Sequence, residues 1–138
     1  MPDKGASGPA ANIPSDQRRQ RGRAGEALAG AYLEIQGYGI LHANYRSRYG
    51  EIDIIARRGR TVAFIEVKAR RSKSFGEPFE SVGLRKQSQI RRMALMWVAA
   101  HQSDPSLRDC VFRFDIISVL FDAEGSLIDV RHMEDAFR

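Results

Sequence analysis

Residues 51–68 read EIDIIARRGRTVAFIEVK, and the fold turns on how they pair. Two apolar, β-branched runs flank the basic turn Arg57-Arg58-Gly59-Arg60, which has a glycine where a hairpin needs one. The stretch predicts two antiparallel strands, about 51–56 and 61–69. Inside them stand Glu51, Asp53, Glu66 and Lys68. A charge in a half-buried strand costs free energy unless it is paired or holds a metal. Four such charges in one hairpin therefore point to a site.

Side chains alternate across a strand. Val62, Phe64, Glu66 and Lys68 are thus expected on one face of the second strand, and Glu51, Asp53 and Ile55 on one face of the first. A symmetric hairpin about residues 57–60 pairs Asp53 with Phe64 and Glu51 with Glu66. Asp53 and Glu66 then lie diagonally on a shared face, about 7–8 Å apart at the backbone. Two carboxylates so placed can share one cation, and Mg2+ prefers hard oxygen ligands. The expected ligands of Mg2+ or Mn2+ are Asp53, Glu66 and the backbone carbonyl of Val67. Lys68, on the face of Glu66, would orient the attacking water or stabilise charge on a phosphate. The spacing E-x-K is weak alone, because exposed Glu–Lys strand pairs are common and contribute little. The acid on the preceding strand and the basic flanks make it specific. Glu51 matches no expected ligand and is left as a helper.

Outward from the hairpin, the N-terminal side begins with residues 1–14, rich in Gly, Ala, Pro and Ser, which read as a disordered tail. Ser15 or Asp16 is placed to cap a helix. Its apolar stripe is Ala24, Ala27, Leu28, Ala31, Tyr32 and Ile35, and Gly37 is its stop. Glu26 lies beside that stripe, where a solvated carboxylate is the simplest reading. A strand over 38–45 and a polar turn over 46–50 lead into the hairpin. On the other side, residues 70–83 form a basic loop with glycines at 76 and 83. A second helix over 84–101 follows, with the stripe Ile90, Met93, Ala94, Trp97 and Val98. Strands at 111–121 and 127–130 close the pattern, and the tail from Arg131 shows no periodicity. The order α-β-β-β-α-β-β indicates an α/β domain with a mixed sheet flanked by helices, one domain over residues 15–138.

With 138 residues, the chain can bury a core without disulfides. A single cysteine, Cys110, excludes a disulfide framework and a cysteine-rich zinc site, and it fits a reducing cytoplasm. There is no apolar run long enough for a membrane span and no signal-peptide core. The net charge of +5 favours an anionic partner, and nucleic acid is the commonest. Basic residues cluster around the hairpin and the second helix, with Arg46, Arg70, Arg71, Lys86 and Arg92 the expected contacts to DNA. His42, His101 and His132 lack metal-ligand spacing and read as structural or surface residues. Cys110, Trp97 and Tyr32 read as packing residues. Asp115 reads as a hydrogen-bond acceptor in the strand, with a partnership to a basic residue as the other reading.

Asp53 followed by Glu66-Val67-Lys68 resembles the PD-(D/E)xK nuclease superfamily, with Ile52 where the superfamily name has proline. More closely, GRAGEALAGAYLEIQGYGIL (22–41), NYRSRYGEIDIIA (44–56), FIEVKAR (64–70) and RFDIISV (113–119) resemble the bacterial YraN-like family, which is similar to archaeal-type Holliday junction resolvases. The resemblance implies a restriction-endonuclease-like core. It makes Glu26 a third carboxylate at the metal site and turns Lys86 toward the phosphate backbone. It also implies an Mg2+- or Mn2+-dependent endonuclease acting on DNA, branched DNA in particular, with a homodimer needed to resolve junctions. The alternative is a nuclease fold that binds DNA or a DNA-processing partner and no longer cuts.

Overall fold

The computed structural model describes residues 15–71 and 82–138, and among these every side chain but those of 15–18 and 21. The expected tail over 1–14 and most of the expected loop over 70–83 lie outside the described residues. The elements are α1 (Ser15–Ile35), β1 (Gly39–Ser47), β2 (Gly50–Arg58), β3 (Thr61–Arg71), α2 (Leu84–Ala100), a 3-10 turn at Pro105–Leu107, β4 (Val111–Phe121) and β5 (Leu127–Phe137). They follow the expected order. The sheet runs β1-β2-β3-β4-β5. Only β3 and β4 pair in parallel, and α2 is the crossover that parallel neighbours require.

One helix covers each face. On the α1 side, Ala29, Leu33 and Tyr38 pack on Ile54, Ala56, Ala63, Ile65, Ile117 and Val119. On the α2 side, Ile90, Met93, Ala94 and Trp97 pack on Ile52, Ile55, Val62, Phe64 and Ile116. The α2 stripe is as its periodicity predicted. The α1 stripe is rotated. Its buried line is Gly25, Ala29 and Leu33, while Ala24, Ala27, Ala31 and Ile35 face outward. Gly25 is the reason: a Cβ there would stand 2.7 Å from the Ala69 Cβ, so only glycine lets α1 sit this close to β3.

The hairpin register differs from the symmetric one by two residues. Arg58 pairs with Thr61 and Ile54 with Ile65, so the loop is Gly59-Arg60 alone. Gly59 has φ +61, which suits the first position of a two-residue type II′ turn. An even shift preserves the face of every β3 residue. It also brings Asp53 level with Glu66 instead of diagonal to it. The polar turn expected over 46–50 shrinks in the same way, because β1 continues to Ser47.

The expected alternation of β2 fails at Asp53. Ile52 and Ile55 pack on the α2 side, whereas Ile54 and Ala56 pack on the α1 side. Opposite this break stands Asn44, with a left-handed φ of +55. Ala43 pairs with Ile54 and Tyr45 with Ile52, and the Asn44–Asp53 pair between them is missing. The β2–β3 ladder also ends at Ile54–Ile65, while β2 stays paired to β1 and β3 to β4. The sheet therefore forks, and Asp53 and Glu66 stand where the prongs separate.

The tail from Arg131 is not irregular: β5 runs to Phe137 against β4. A register shift opposite Phe114 and Ile116, together with Asp135 at φ +54, breaks the period-two pattern that would have revealed it.

Candidate metal and nucleic-acid site

The fork draws side chains from both faces of the sheet. From α1 comes Glu26, from β2 Glu51 and Asp53, from β3 Glu66 and Lys68, and from α2 Lys86. Glu26, Glu51 and Asp53 offer carboxylate oxygens that all lie within 4.8 Å of one another. Asp53 links this trio to Glu66, and its Oδ2 accepts a 2.8 Å hydrogen bond from the Val67 N–H. In an extended strand a residue's N–H and C=O point to the same side, so the Val67 carbonyl also faces the β2 prong. Asn44 closes the cluster. With its amide nitrogen facing the acids, it donates to Glu26 Oε1 at 3.1 Å and Glu51 Oε2 at 2.6 Å. The opposite orientation would set three oxygens against one another.

Glu66 is 7% exposed. Lys68 Nζ and Lys86 Nζ each lie 3.9 Å from its Oε2, while its Oε1 is buried without a partner among the described residues. Burial, then the nearby Asp53 carboxylate, pushes the Glu66 carboxyl up to about 7, and the two lysines only moderate the rise. Burial likewise raises Asp53, with the Val67 N–H opposing it and Glu51 adding to it. Glu26 is raised by burial and by Asp53 and Glu51, against the Asn44 hydrogen bond. Three acids at one place are thus harder to ionise in the folded chain than in an unfolded one.

This has a measurable consequence. A carboxyl with a raised folded pKa contributes stability that is fully present below its unfolded value of 4.5 and lost as pH rises through its folded value of about 7. In a chelator, the melting temperature is expected to fall between pH 5 and pH 8. Glu66→Gln should flatten part of that fall, and a variant as pH-dependent as the wild type would refute the assignment.

The remaining expected contacts are distributed around the fork. Arg46 sits across β1–β2 from Glu51, with Nε 3.7 Å from Oε1. Arg70 and Arg71 end β3, half-buried, just beyond Lys68. Arg92 lies over the Tyr49 ring at the β1–β2 turn. A cavity of about 300 Å³ opens beside the acids, bounded by Arg23, Glu26, Ala27, Gly30, Asn44 and Asp53. The sequence reading missed Asn44 and set Glu51 aside. Asn44 left one signal, an asparagine inside a strand-like run, where its tolerance of left-handed φ is the natural reason for it.

The second buried charge cluster lies elsewhere. Asp115, fully buried, accepts from Arg113 Nε at 2.9 Å and Nη2 at 2.8 Å, and from the Asp135 N–H at 3.0 Å. His132 Nε2 lies 2.8 Å from its Oδ2. Burial alone would raise the Asp115 carboxyl, but the hydrogen bonds of His132, Arg113 and Asp135 outweigh it and hold it below the usual range. The partnership with a basic residue is therefore real, and it ties β4 to β5. His132 is structural, as expected.

No helix among the described residues is long and apolar enough to cross a membrane. The model of the uncharacterised protein family UPF0102 matches residues 25–119. UPF0102 proteins of Caldicellulosiruptor saccharolyticus, Syntrophus aciditrophicus and Trichlorobacter lovleyi are 38%, 44% and 45% identical to this chain. The matches cover 87%, 88% and 84% of this chain and 98%, 91% and 88% of those relatives. The matched segment contains α1 from Gly25, the whole fork and nearly all of β4, and the chain belongs to the UPF0102 family, the YraN family its motifs resemble.

Proposed function

We propose that the chain is an Mg2+- or Mn2+-dependent endodeoxyribonuclease acting on branched DNA. The observation that carries this reading is the fork itself, where Asp53, Glu66 and Glu26 converge with Lys68 from three separate elements. The donor set suits the cation. It is all oxygen, it includes the orphaned Oε1 of Glu66, and its acids are held in a state that a cation would relieve. Asp53, Glu66 and the Val67 carbonyl would hold the ion, with Glu26 and Glu51 beside them. Bound there, Mg2+ or Mn2+ supplies Lewis acidity toward a phosphodiester oxygen and a more acidic water.

The chain's own groups do the rest. Lys68 carries a positive charge beside Glu66, where it can orient the attacking water and offset charge growing on the phosphate. Water adds to phosphorus, one P–O ester bond breaks, and the leaving oxygen takes up a proton. Lys86, Arg46, Arg70, Arg71 and Arg92 hold the backbone of the DNA on either side of the fork. Cleaving two strands of one junction requires two such sites facing each other, hence a homodimer.

The test has two arms. Mn2+ at a hundredfold its dissociation constant should stabilise the chain by about 2.7 kcal/mol, read as a rise in melting temperature. Labelled duplex, flap and four-way-junction DNAs, incubated with Mn2+ or with chelator, should be cut only with Mn2+ and best when branched. A chain that binds these DNAs and cuts none would be a non-cleaving binding module instead.

A further inference from the structure

The tip of the β1–β2 turn carries Tyr49, and two arginines from different elements lie against its ring. The guanidinium of Arg48 lies 5.0 Å from the Tyr49 ring centroid, and that of Arg92, from α2, lies 4.6 Å from the same centroid. Arg48 Nη2 also donates to the Tyr49 hydroxyl at 2.9 Å. Among the described residues neither guanidinium has a carboxylate within ion-pair distance, unlike Arg46, Arg58, Arg113, Arg131 and Arg138. Two like charges are thus each brought within about 5 Å of one ring centroid.

The turn that presents Arg48 and Tyr49 is fastened to α2. The Tyr49 N–H donates to Ser47 Oγ at 3.0 Å, and Ser47 Oγ donates to the Met93 sulfur at 2.8 Å. A Cβ at Gly50 would meet the Gln89 side chain of α2 at 3.5 Å, and the Tyr49 ring packs on the α2-side core. Tyr49 is therefore a fixed platform, and the two arginines need not be gathered from solution when an anion arrives.

We infer that Arg48, Tyr49 and Arg92 form a phosphate-binding subsite that grips the DNA backbone at a phosphate flanking the one held at the fork. The anion is one phosphodiester, whose two non-bridging oxygens match two guanidinium donors. Its place follows from α2. Lys86 reaches Glu66 at the fork, and Arg92 lies six residues further along the helix, about 9 Å of axial rise at 1.5 Å per residue. One DNA strand advances about 3.4 Å per nucleotide, so the gripped phosphate is a different one from that held at the fork. The subsite rests on the nuclease reading for its ligand and deepens it by fixing the direction in which the strand leaves the metal centre.

Binding of fluorescein-labelled duplex and four-way-junction DNA is measured by anisotropy over a salt series, in chelator so that nothing is cut. The chains compared are wild type, Arg48→Ala/Arg92→Ala, Tyr49→Leu and the control Arg131→Ala on β5. Loss of one gripped phosphate should lower the slope of log K against log salt by about 0.9. The double variant should also bind about tenfold more weakly at a fixed salt near physiological ionic strength. Tyr49→Leu should show part of the same loss although its charge is that of the wild type, which general basicity cannot explain. Melting curves establish that each variant is folded, and if Tyr49→Leu is not, the double variant decides alone. A double variant with the wild-type slope, or one no weaker than Arg131→Ala, overturns the subsite and leaves the nuclease reading standing. A wild type that binds none of these DNAs at low salt removes both.

Discussion

Asp53→Asn is expected to abolish the cation site and to slow DNA cleavage about a thousandfold or more. The carboxylate at this position is the one group that touches both halves of the site. It adjoins Glu26 and Glu51 on one side and Glu66 on the other, at the point where β2 leaves β3. In the proposed nuclease Asp53 is a direct ligand of the cation; removing one forfeits several kcal/mol of charge stabilisation, and about 4 kcal/mol is a factor of a thousand in rate. Asparagine keeps the size of the side chain and its oxygen can still accept from the Val67 N–H, so the fold should persist. It should even gain. Burial and the neighbouring acids disfavour the charged form of Asp53, and in chelator the variant should melt at or above the wild-type temperature. Cleavage lost with melting preserved is the signature of a functional residue. Cleavage and Mn2+ affinity both unchanged would show that the fork does not hold the ion. Circular dichroism melts and Mn2+ titration by electron paramagnetic resonance read the two effects separately.

The largest loss of stability is expected at Asp115, which pairs with Ile65 on the neighbouring strand. Asp115→Ala leaves the half-buried Arg113 and the buried His132 facing an empty acceptor position, and it orphans the Asp135 N–H. Breaking a buried charge pair by removing one partner costs about 3–5 kcal/mol. For a domain of this size that lowers the melting temperature by roughly 10–15 °C. The pH dependence has the opposite sign to that of Glu66. A carboxyl held below its usual range contributes stability that is present above its unfolded value of 3.8 and lost as pH falls through the folded one. Acid unfolding of the wild type should therefore begin below about pH 4, and the variant should lack that limb. A variant that melts within a few degrees of the wild type would show that β5 is held by backbone pairing alone.

The two strands of the hairpin, both helices and the mixed sheet were legible because periodicity and a glycine turn specify them locally. The α2 stripe is an ordinary 3.6-residue pattern and was read correctly. The α1 stripe was misread by one position because Gly25 has no side chain to enter a hydrophobic pattern, although it marks the closest approach of the helix to the sheet. The expected hairpin register differs by two from the observed one because a symmetric hairpin presumes a four-residue loop where Gly59-Arg60 suffices. Parity was kept, so Glu66 and Lys68 were placed on the right face despite the error.

The fork itself was not legible. It depends on β2 and β3 parting after Ile54 and Ile65, and nothing in either strand announces that a ladder will end. Asp53 reaches both faces only because the alternation of β2 breaks beside it, across from the left-handed Asn44. Glu51 matches no expected ligand and is set aside on that ground, yet it pairs with Arg46 and reaches Glu26 and Asp53 through space. Glu26 entered through resemblance alone. The convergence of α1 with the hairpin is a tertiary contact that no local pattern encodes. The Asp115 cluster was half seen: its aspartate stood out among apolar neighbours, but His132 and Asp135 lie on a strand whose bulge hid it.

The most direct test is single-turnover cleavage of a labelled four-way junction in Mn2+ by wild type and Lys68→Ala, with protein in saturating excess over DNA. Lys68 is not among the cation's expected ligands, so the variant should bind Mn2+ and junction as the wild type does. It should cut on the order of a hundredfold more slowly, the effect of removing one charge aimed at the reacting phosphate. A Lys68→Ala chain that cuts at the wild-type rate, or a wild type that binds Mn2+ and junction and leaves every strand intact, would contradict the account.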